Sequence, residues 1–571
     1  MKHSILGALA VGASIAAAQS NSTTNAFMQS CAAFANSTQI PNSTFITATY
    51  VPAGTNLTFP NADPSCTRTS QLVNTAMCRI QANITTSSTS GLSFEAWLPQ
   101  NWTGRFLSTG NGGLGGCIQY EDLDFTTSLG FASVATNNGH DGMSGRFFFQ
   151  NPEVVEDFVY RAVFTGITVG KNVTQTFYKK SLTKSYYLGC STGGRQGMKM
   201  VQDFPDLFDG VVAGAPAMNF NNLNTWSAHF LPVTGSNTSD TFVPQSLWNV
   251  VHDDIVAQCD DRDGVKDGII EAPDLCPYQA NALLCSDTVV APNCLTQKQV
   301  ATVNTIFSDL KAPNGTVLYP RMQPGSEKTG AFNAYYNGQA SDKSDWIKFV
   351  VMADPNFDLT KFTPDLWAKA DTLDPFNVAT FKGDISAFQK RGGKLLHYHG
   401  TMDPIISSEN SPRYYELVRS TMKQEPAQLD DFYRFFRISG MGHCSGGPGA
   451  HYIGNQRKQL ADPNEPENNL LMNMVRWVEE GQAPDVVAGV AFMNDTQGGQ
   501  VSFTRNHCRW PLKNKFSGSG DPNDAASWKC VSYNNTTPQS SEIVNYVPSS
   551  SQGTQVFISG YPYFCSGSRY E

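Results

Sequence analysis

The sequence predicts an α/β fold, a mostly parallel sheet covered by helices, with a second unit inserted before its last strands. Three observations predict it. Strand-like apolar runs alternate with stretches of helical spacing between residues 92 and 216. Tyr186-Tyr187-Leu188-Gly189-Cys190-Ser191-Thr192-Gly193-Gly194 reads as a buried strand, a tight turn and a helix start, with Ser191 at the tip. After a stretch of different texture from about 222 to 385, strand texture returns at Gly393.

Taken in order, Lys2 and the small apolar run Ile5 to Ala18 form a secretory signal, with Ala16-Ala17-Ala18 as the cleavage site. Residues 19 to 60 are rich in Ser, Thr and Asn and are expected to hug the surface. Leu92 to Pro99, Arg105 to Ser108 and Phe131 to Thr136 read as strands, and Asp157 to Thr168 as a helix. The strand before Ser191 is followed by helical spacing from Arg195 to Phe208 and a strand over Val211 to Pro216. The 222–385 stretch holds four cysteines, an acidic loop and a helix over Asn249 to Gln258. Gly393 to Gly400 and Phe432 to Ile438 are the returning strands, and Asn469 to Glu480 is a helix. The tail past 500 is aromatic and disulfide-prone.

Composition bounds the class. The 571 residues are 40% apolar and 16% charged, which suits a globular chain with a sizeable core. A net charge of -9 without a basic run argues against nucleic acid and anionic membrane as partners. No later apolar run reaches about 18 residues, so no membrane span is expected. Thirteen cysteines suit an oxidising compartment. Twelve glycan-acceptor patterns begin at Asn21, Asn36, Asn42, Asn56, Asn83, Asn101, Asn172, Asn237, Asn314, Asn494, Asn534 and Asn535. Both point to a secreted, extracellular protein.

Chemistry concentrates at three loops. Gly189-Cys190-Ser191-Thr192-Gly193 has the G-x-S-x-G pattern of a nucleophile elbow, whose glycines leave room for a strained turn. Asp403 follows one strand end and His443 another. The order Ser191, Asp403, His443 is that of α/β-hydrolases, in which reactive groups gather at the carboxyl ends of the strands. Ser191 is then the nucleophile, His443 the general base and acid, and Asp403 the group that orients the imidazole. Cys190 precedes the serine and Cys444 follows the histidine, so loops that meet at a site bring these sulfurs together. One oxyanion donor is expected to be the backbone N–H of Thr192 and the other that of Gly113, in the glycine-rich loop 110–116. That loop also matches G-x-G-x-x-G, but a dinucleotide site fits a secreted chain poorly.

The Cys-Ser…Asp…His-Cys arrangement resembles the fungal tannase and feruloyl esterase family, over nearly the whole mature chain. The resemblance implies an α/β-hydrolase fold with a large lid domain inserted between the nucleophile and acid segments. The expected division is a signal at 1–18, catalytic residues 19–221, a lid at 222–388 and catalytic residues 389–571. It implies the triad Ser191, Asp403 and His443, with Cys190 bridged to Cys444. It also implies the pairs Cys31–Cys78, Cys66–Cys117, Cys259–Cys276, Cys285–Cys294 and Cys508–Cys530, leaving Cys565 as a free thiol.

The acidic loop Cys259 to Ile270 places hard oxygens at alternating positions, which suits calcium. It is not an EF-hand, because Lys266 stands where the sixth position needs glycine. The resemblance implies a structural Ca²⁺ held by the side chains of Asp260, Asp263 and Asp267 and the carbonyls of Val265 and Ile269. A solvated acidic turn is the plainer alternative.

The function expected is a secreted serine carboxylic ester hydrolase, without organic cofactor, that cleaves feruloyl (hydroxycinnamoyl) esters of plant cell-wall polysaccharides. A tannase cleaving gallate esters is the alternative within the family. A secreted peptidase and a catalytically inert plant-polymer-binding protein are the alternatives outside it. His140 is a candidate pocket residue; His397 and His399 are expected to pack or hydrogen-bond at a strand end.

Overall fold

The computed structural model describes residues 24–286, 292–456, 459–462 and 465–533. Nine strands form one sheet: β1 Ser43–Val51, β2 Met77–Thr85, β3 Gly91–Pro99, β4 Arg105–Thr109, β5 Ala132–Thr136, β6 Lys184–Cys190, β7 Gly210–Gly214, β8 Lys394–Gly400 and β9 Tyr433–Ile438. Their spatial order is β1-β2-β3-β5-β4-β6-β7-β8-β9. The first four in that order pair antiparallel. From β5 to β9 every neighbour pairs in parallel. This is the α/β-hydrolase arrangement.

Burial explains the sequence texture. β7 is buried at every residue and β6 at all but its ends, so both read as continuous apolar runs, as strands covered on two faces should. β2 alternates, because its outer half has one wet face. β1 corrects an expectation. Residues 19–60 do not merely hug the surface: 43–51 is the edge strand, and a helix over residues 24–37 tucks Cys31 and Phe34 into the core. Ser, Thr and Tyr on a half-wet edge hid the strand.

Two helices also differ from expectation. The chain is helical from Pro152 to Tyr178, with a π-turn at Asp157–Arg161. The helix after Ser191 runs over Thr192–Asp203, starting directly at the turn.

Between β7 and β8 the described chain adds no strand to the sheet. It folds around its own aromatic core, where Trp226 meets Phe230 at 4.7 Å and Trp248 stacks on Tyr336 at 4.6 Å. After β9, two hairpins follow, Val486–Phe492 with Val501–Cys508 and Leu512–Phe516 with Trp528–Ser532. Arg505 from the first lies over the Trp528 ring of the second at 3.3 Å, which locks the pair together.

Candidate active site

Ser191 follows β6, and its backbone has φ 65° and ψ -124°. A non-glycine residue held there costs about 1–3 kcal/mol and persists only where its surroundings over-determine it. Here they do. The Ser191 N–H donates to Gly214 at 2.9 Å, and its carbonyl accepts from Arg195 and Ala217, both at 3.0 Å. The flanking glycines are obligatory. A Cβ on Gly189 would lie 2.7 Å from the Gly193 carbonyl, and one on Gly194 would lie 2.3 Å from the Gly214 carbonyl oxygen.

The glycine-rich loop is clamped to the helix that follows. The Gln196 side chain accepts from the Asn111 N–H at 3.0 Å and donates to the Asn111 and Asn138 amide oxygens at 3.1 and 3.0 Å. Asn111 in turn donates to the carbonyls of Cys117 and Thr136. The Thr192 hydroxyl donates to the Gly113 carbonyl at 2.5 Å. The Thr192 N–H lies in the first helical turn, where amides lack an intrahelical acceptor. The backbones of Thr192 and Gly113 are thus held side by side.

Asp403 and His443 lie just past the ends of β8 and β9. His443 Nδ1 is 2.6 Å from Asp403 Oδ2. A carboxylate only accepts, so Nδ1 carries the proton and Nε2 is left to act as a base. Asp403 is fully buried, and its other oxygen accepts from the Ile405 and Ile406 N–H groups at 2.8 and 2.9 Å. Burial pushes its carboxyl upward, but the His443 charge and the His399 and His443 hydrogen bonds outweigh it and hold the group well below the usual carboxylate range.

Behind Asp403 runs a buried relay. Its directions follow from the carboxylate inward. His399 Nε2 donates to Asp403 Oδ2 at 3.1 Å, so His399 Nδ1 accepts from the Ser411 hydroxyl at 2.6 Å. Ser411 then accepts from His397 Nε2 at 2.9 Å, and His397 Nδ1 accepts from the Tyr433 hydroxyl at 3.0 Å. Burial, and then the neighbouring His399, push the His397 imidazole far below its ordinary range, which keeps it neutral in this role. Two histidines at i and i+2 on a strand leading to Asp403 share a face, and that spacing was the signal for this relay.

The Cys190–Cys444 bridge joins the serine loop to the histidine loop across 254 residues. The other five bridges also form as the resemblance implied: Cys31–Cys78, Cys66–Cys117, Cys259–Cys276, Cys285–Cys294 and Cys508–Cys530. Cys565 lies outside the described residues.

Ser191, Thr192, Gly113, His443 and the Cys190–Cys444 bridge line one cavity of about 350 Å³. Leu114, Ala217, Phe220, Leu223, Ile405 and Ile406 give it apolar lining, and Ser65, Thr67, Arg68, Gln119, Asp122, Asn224, Lys343 and Gln456 give it polar lining. His140 is not among the lining residues; it is buried behind them, with Nε2 on the Leu114 carbonyl at 2.8 Å.

The acidic loop lies apart from this cavity. Asp260, Asp263 and Asp267 each accept from a backbone N–H, of Gly268, Val265 and Ile269, at 2.9–3.0 Å. Asp260 Oδ1 and Asp263 Oδ2 are buried without a partner. Burial, then the Glu271, Asp267 and Asp260 charges, push the Asp263 carboxyl up to about 7. Among the described residues no three carboxylate, imidazole or thiol groups converge on one point. Orphaned carboxylate oxygens in an all-oxygen loop fit a hard cation that completes its shell from backbone carbonyls. The loop also touches the loop that carries His443, which the sequence did not reveal. Glu271 accepts from the Ser439 hydroxyl, and Ser439 opens the loop that carries His443. Arg505 ties Glu271 to Asp267, at 3.4 and 3.1 Å.

Comparison with known proteins identifies the family. A family model described as tannase and feruloyl esterase matches residues 78–531. The chain is 53% identical over 528 residues to probable feruloyl esterase B-2 of Aspergillus oryzae, spanning 92% of this chain and 99% of that protein. It is 52% identical to probable feruloyl esterase B-1 of Aspergillus flavus over 528 residues, with the same coverage. A crystal structure of feruloyl esterase B from Aspergillus oryzae superposes with a TM-score of 0.85 at 50% identity, covering 88% of this chain and all of that one. Tannin acyl hydrolase from Aspergillus niger shares the fold, with a TM-score of 0.68 at 23% identity over 87% of this chain and 93% of that one. The chain belongs to the tannase and feruloyl esterase family.

Proposed function

We propose that this chain is a serine carboxylic ester hydrolase that cleaves feruloyl (hydroxycinnamoyl) esters of plant cell-wall polysaccharides through an acyl-enzyme. The observation that carries the reading is Ser191 at a strained elbow in one cavity with a His443 whose Nδ1–H is committed to Asp403. That commitment leaves Nε2 as the base. It takes the Ser191 proton as the oxygen attacks the ester carbonyl, and the Thr192 and Gly113 N–H groups receive the developing oxyanion. His443 then protonates the leaving alcohol. Water, deprotonated by the same nitrogen, releases the acid. Asp403 stabilises the imidazolium in both halves.

The apolar lining of the cavity favours a hydroxycinnamate over a gallate. The hydroxyls beside it are engaged, Tyr335 donating to the Ile405 carbonyl at 2.8 Å and Ser227 to the Leu223 carbonyl at 3.0 Å, while Asn224 and Lys343 add polar groups to the same lining. Ferulate brings one ring hydroxyl and a methoxy group. Gallate brings three hydroxyls, and each left unpaired there costs about 1–3 kcal/mol. Residues 222–388, the lid in this reading, supply Leu223, Ser227 and Tyr335 to the cavity, and the remaining apolar lining comes from Leu114, Ala217, Phe220, Ile405 and Ile406 outside it.

Asp260, Asp263 and Asp267, with the carbonyls of Val265 and Ile269, would hold a calcium ion. Bound there, it would neutralise the buried carboxylates and brace the loop. Export and glycosylation belong to the same reading. All nine sequon asparagines among the described residues are exposed. Among those residues no helix is long and apolar enough to cross a membrane.

Turnover of methyl ferulate against methyl gallate tests the substrate choice. Ferulate is expected to be hydrolysed faster; faster gallate turnover makes the enzyme a tannase.

A further inference from the structure

A second cavity of about 300 Å³ lies beside the catalytic one, and the two share Cys66 and Arg68 as lining residues. Nothing in the mechanism uses it. Its walls bring Thr58, Asn61, Gln81, Asn83 and Ser93 to one place, together with the Arg79–Glu95 ion pair. Donors and acceptors are mixed, and both signs of charge are present, with Asp63 and Asp141 on the same walls. Its Phe59 ring is already stacked on Tyr120 at 3.6 Å and capped by Arg79, and Phe94 is buried in the core. Such a surface suits neutral polyhydroxylated ligands better than an aromatic ring or an anion.

Arg68 stands at the junction. Its Nε is buried without a hydrogen-bond partner, and among the described residues it makes no ion pair. A buried N–H of this kind carries a desolvation cost until something accepts from it. In the Ser191 cavity it is part of the polar lining, with Ser65, Thr67 and Gln119. In the proposed reaction the chain on the carbonyl carbon and the alcohol on the ester oxygen extend in different directions from the carbonyl held at Ser191. A saccharide alcohol, rich in hydroxyls, is matched by the polar lining that leads past Arg68.

We propose that the second cavity is a saccharide subsite for the alcohol half of the substrate. A neutral pentose or hexose chain would run from the Ser191 cavity past Arg68 and the Cys66–Cys117 bridge. Arg68 would donate to its hydroxyls. The inference rests on the esterase reading and deepens it. The ester preferred would be one carried on an oligosaccharide rather than on a small alcohol.

The test is the ratio of kcat/KM on a feruloylated neutral arabinoxylan oligosaccharide to kcat/KM on methyl ferulate, so that each protein is its own reference. Wild type should show a ratio above about 10. Arg68→Ala should cut it at least fivefold, and Arg68→Lys less. Asn61→Trp, an exposed position that fills the cavity from outside, should cut it as well. A wild-type ratio near 1, or a ratio unmoved by both Arg68→Ala and Asn61→Trp, overturns the subsite. So does a ratio that rises in Asn83→Gln, since Asn83 is a sequon residue on this wall and its own glycan would then be the occupant. Failure of wild type on both esters would instead sink the esterase reading.

Discussion

Replacing both Cys190 and Cys444 with alanine separates position from stability. The bridge closes 254 residues, for which chain entropy allows at most about 5.5 kcal/mol, with 2–4 kcal/mol more typical of measured cases. The histidine loop keeps other anchors. Asn455 donates to the Cys444 carbonyl at 2.9 Å, the Gly442 N–H to Gly446 at 2.9 Å and the Gly440 N–H to Thr401 at 2.9 Å. At roughly 1 kcal/mol each these should keep the loop folded. What they do not do is tie His443 to Ser191. A displacement of about 1 Å there costs on the order of 10²-fold in rate. The double variant should therefore stay folded at assay temperature while kcat on methyl ferulate falls about 10- to 100-fold and KM moves little. Initial rates and a thermal melt on the same preparation measure both. A kcat within threefold of wild type, or a loss that merely tracks the unfolded fraction, refutes the reasoning.

Three further outcomes are expected. Gln196→Met leaves three buried partners on Asn111 and Asn138 unmatched, so it should destabilise by about 3 kcal/mol or more and lower kcat about 10²-fold through a loosened oxyanion loop; steady-state kinetics beside urea unfolding check this. Chelation should lower the melting temperature more at pH 8 than at pH 5. Without a cation the Asp263 carboxyl is raised to about 7, so the chelated fold loses stability as pH rises from the unfolded value of about 4 through 7, and Asp263→Asn should blunt that difference. Asp403 has the opposite sign. Its depressed carboxyl contributes stability above the unfolded value of about 3.9, lost as pH falls through the folded one, so urea midpoints should drop more steeply below about pH 4 in wild type than in Asp403→Asn.

How much of this was legible in the chain depended on whether a residue's role is local. The elbow was readable because its glycines answer to contacts a few residues away, as Gly189 does to Gly193. Asp403 and His443 were readable because each follows a strand end in a fixed order. β1 was not, since a half-wet edge strand has the composition of a loop. Arg68 and Glu271 were not either. Arg68 matters through two cavities that only the folded chain creates, and Glu271 through Ser439, 168 residues away. The relay behind Asp403 sat between these cases. Spacing put His397 and His399 on one face, but Ser411 and Tyr433 come from other elements.

In the proposed reaction Ser191 carries the acyl group. Rapid acid quench of the enzyme with a feruloyl ester, followed by peptide mass spectrometry, tests it most directly. A feruloyl adduct is expected on the peptide containing Ser191, absent in Ser191→Ala together with ester turnover. Turnover surviving in Ser191→Ala, or an adduct on another residue, would contradict it.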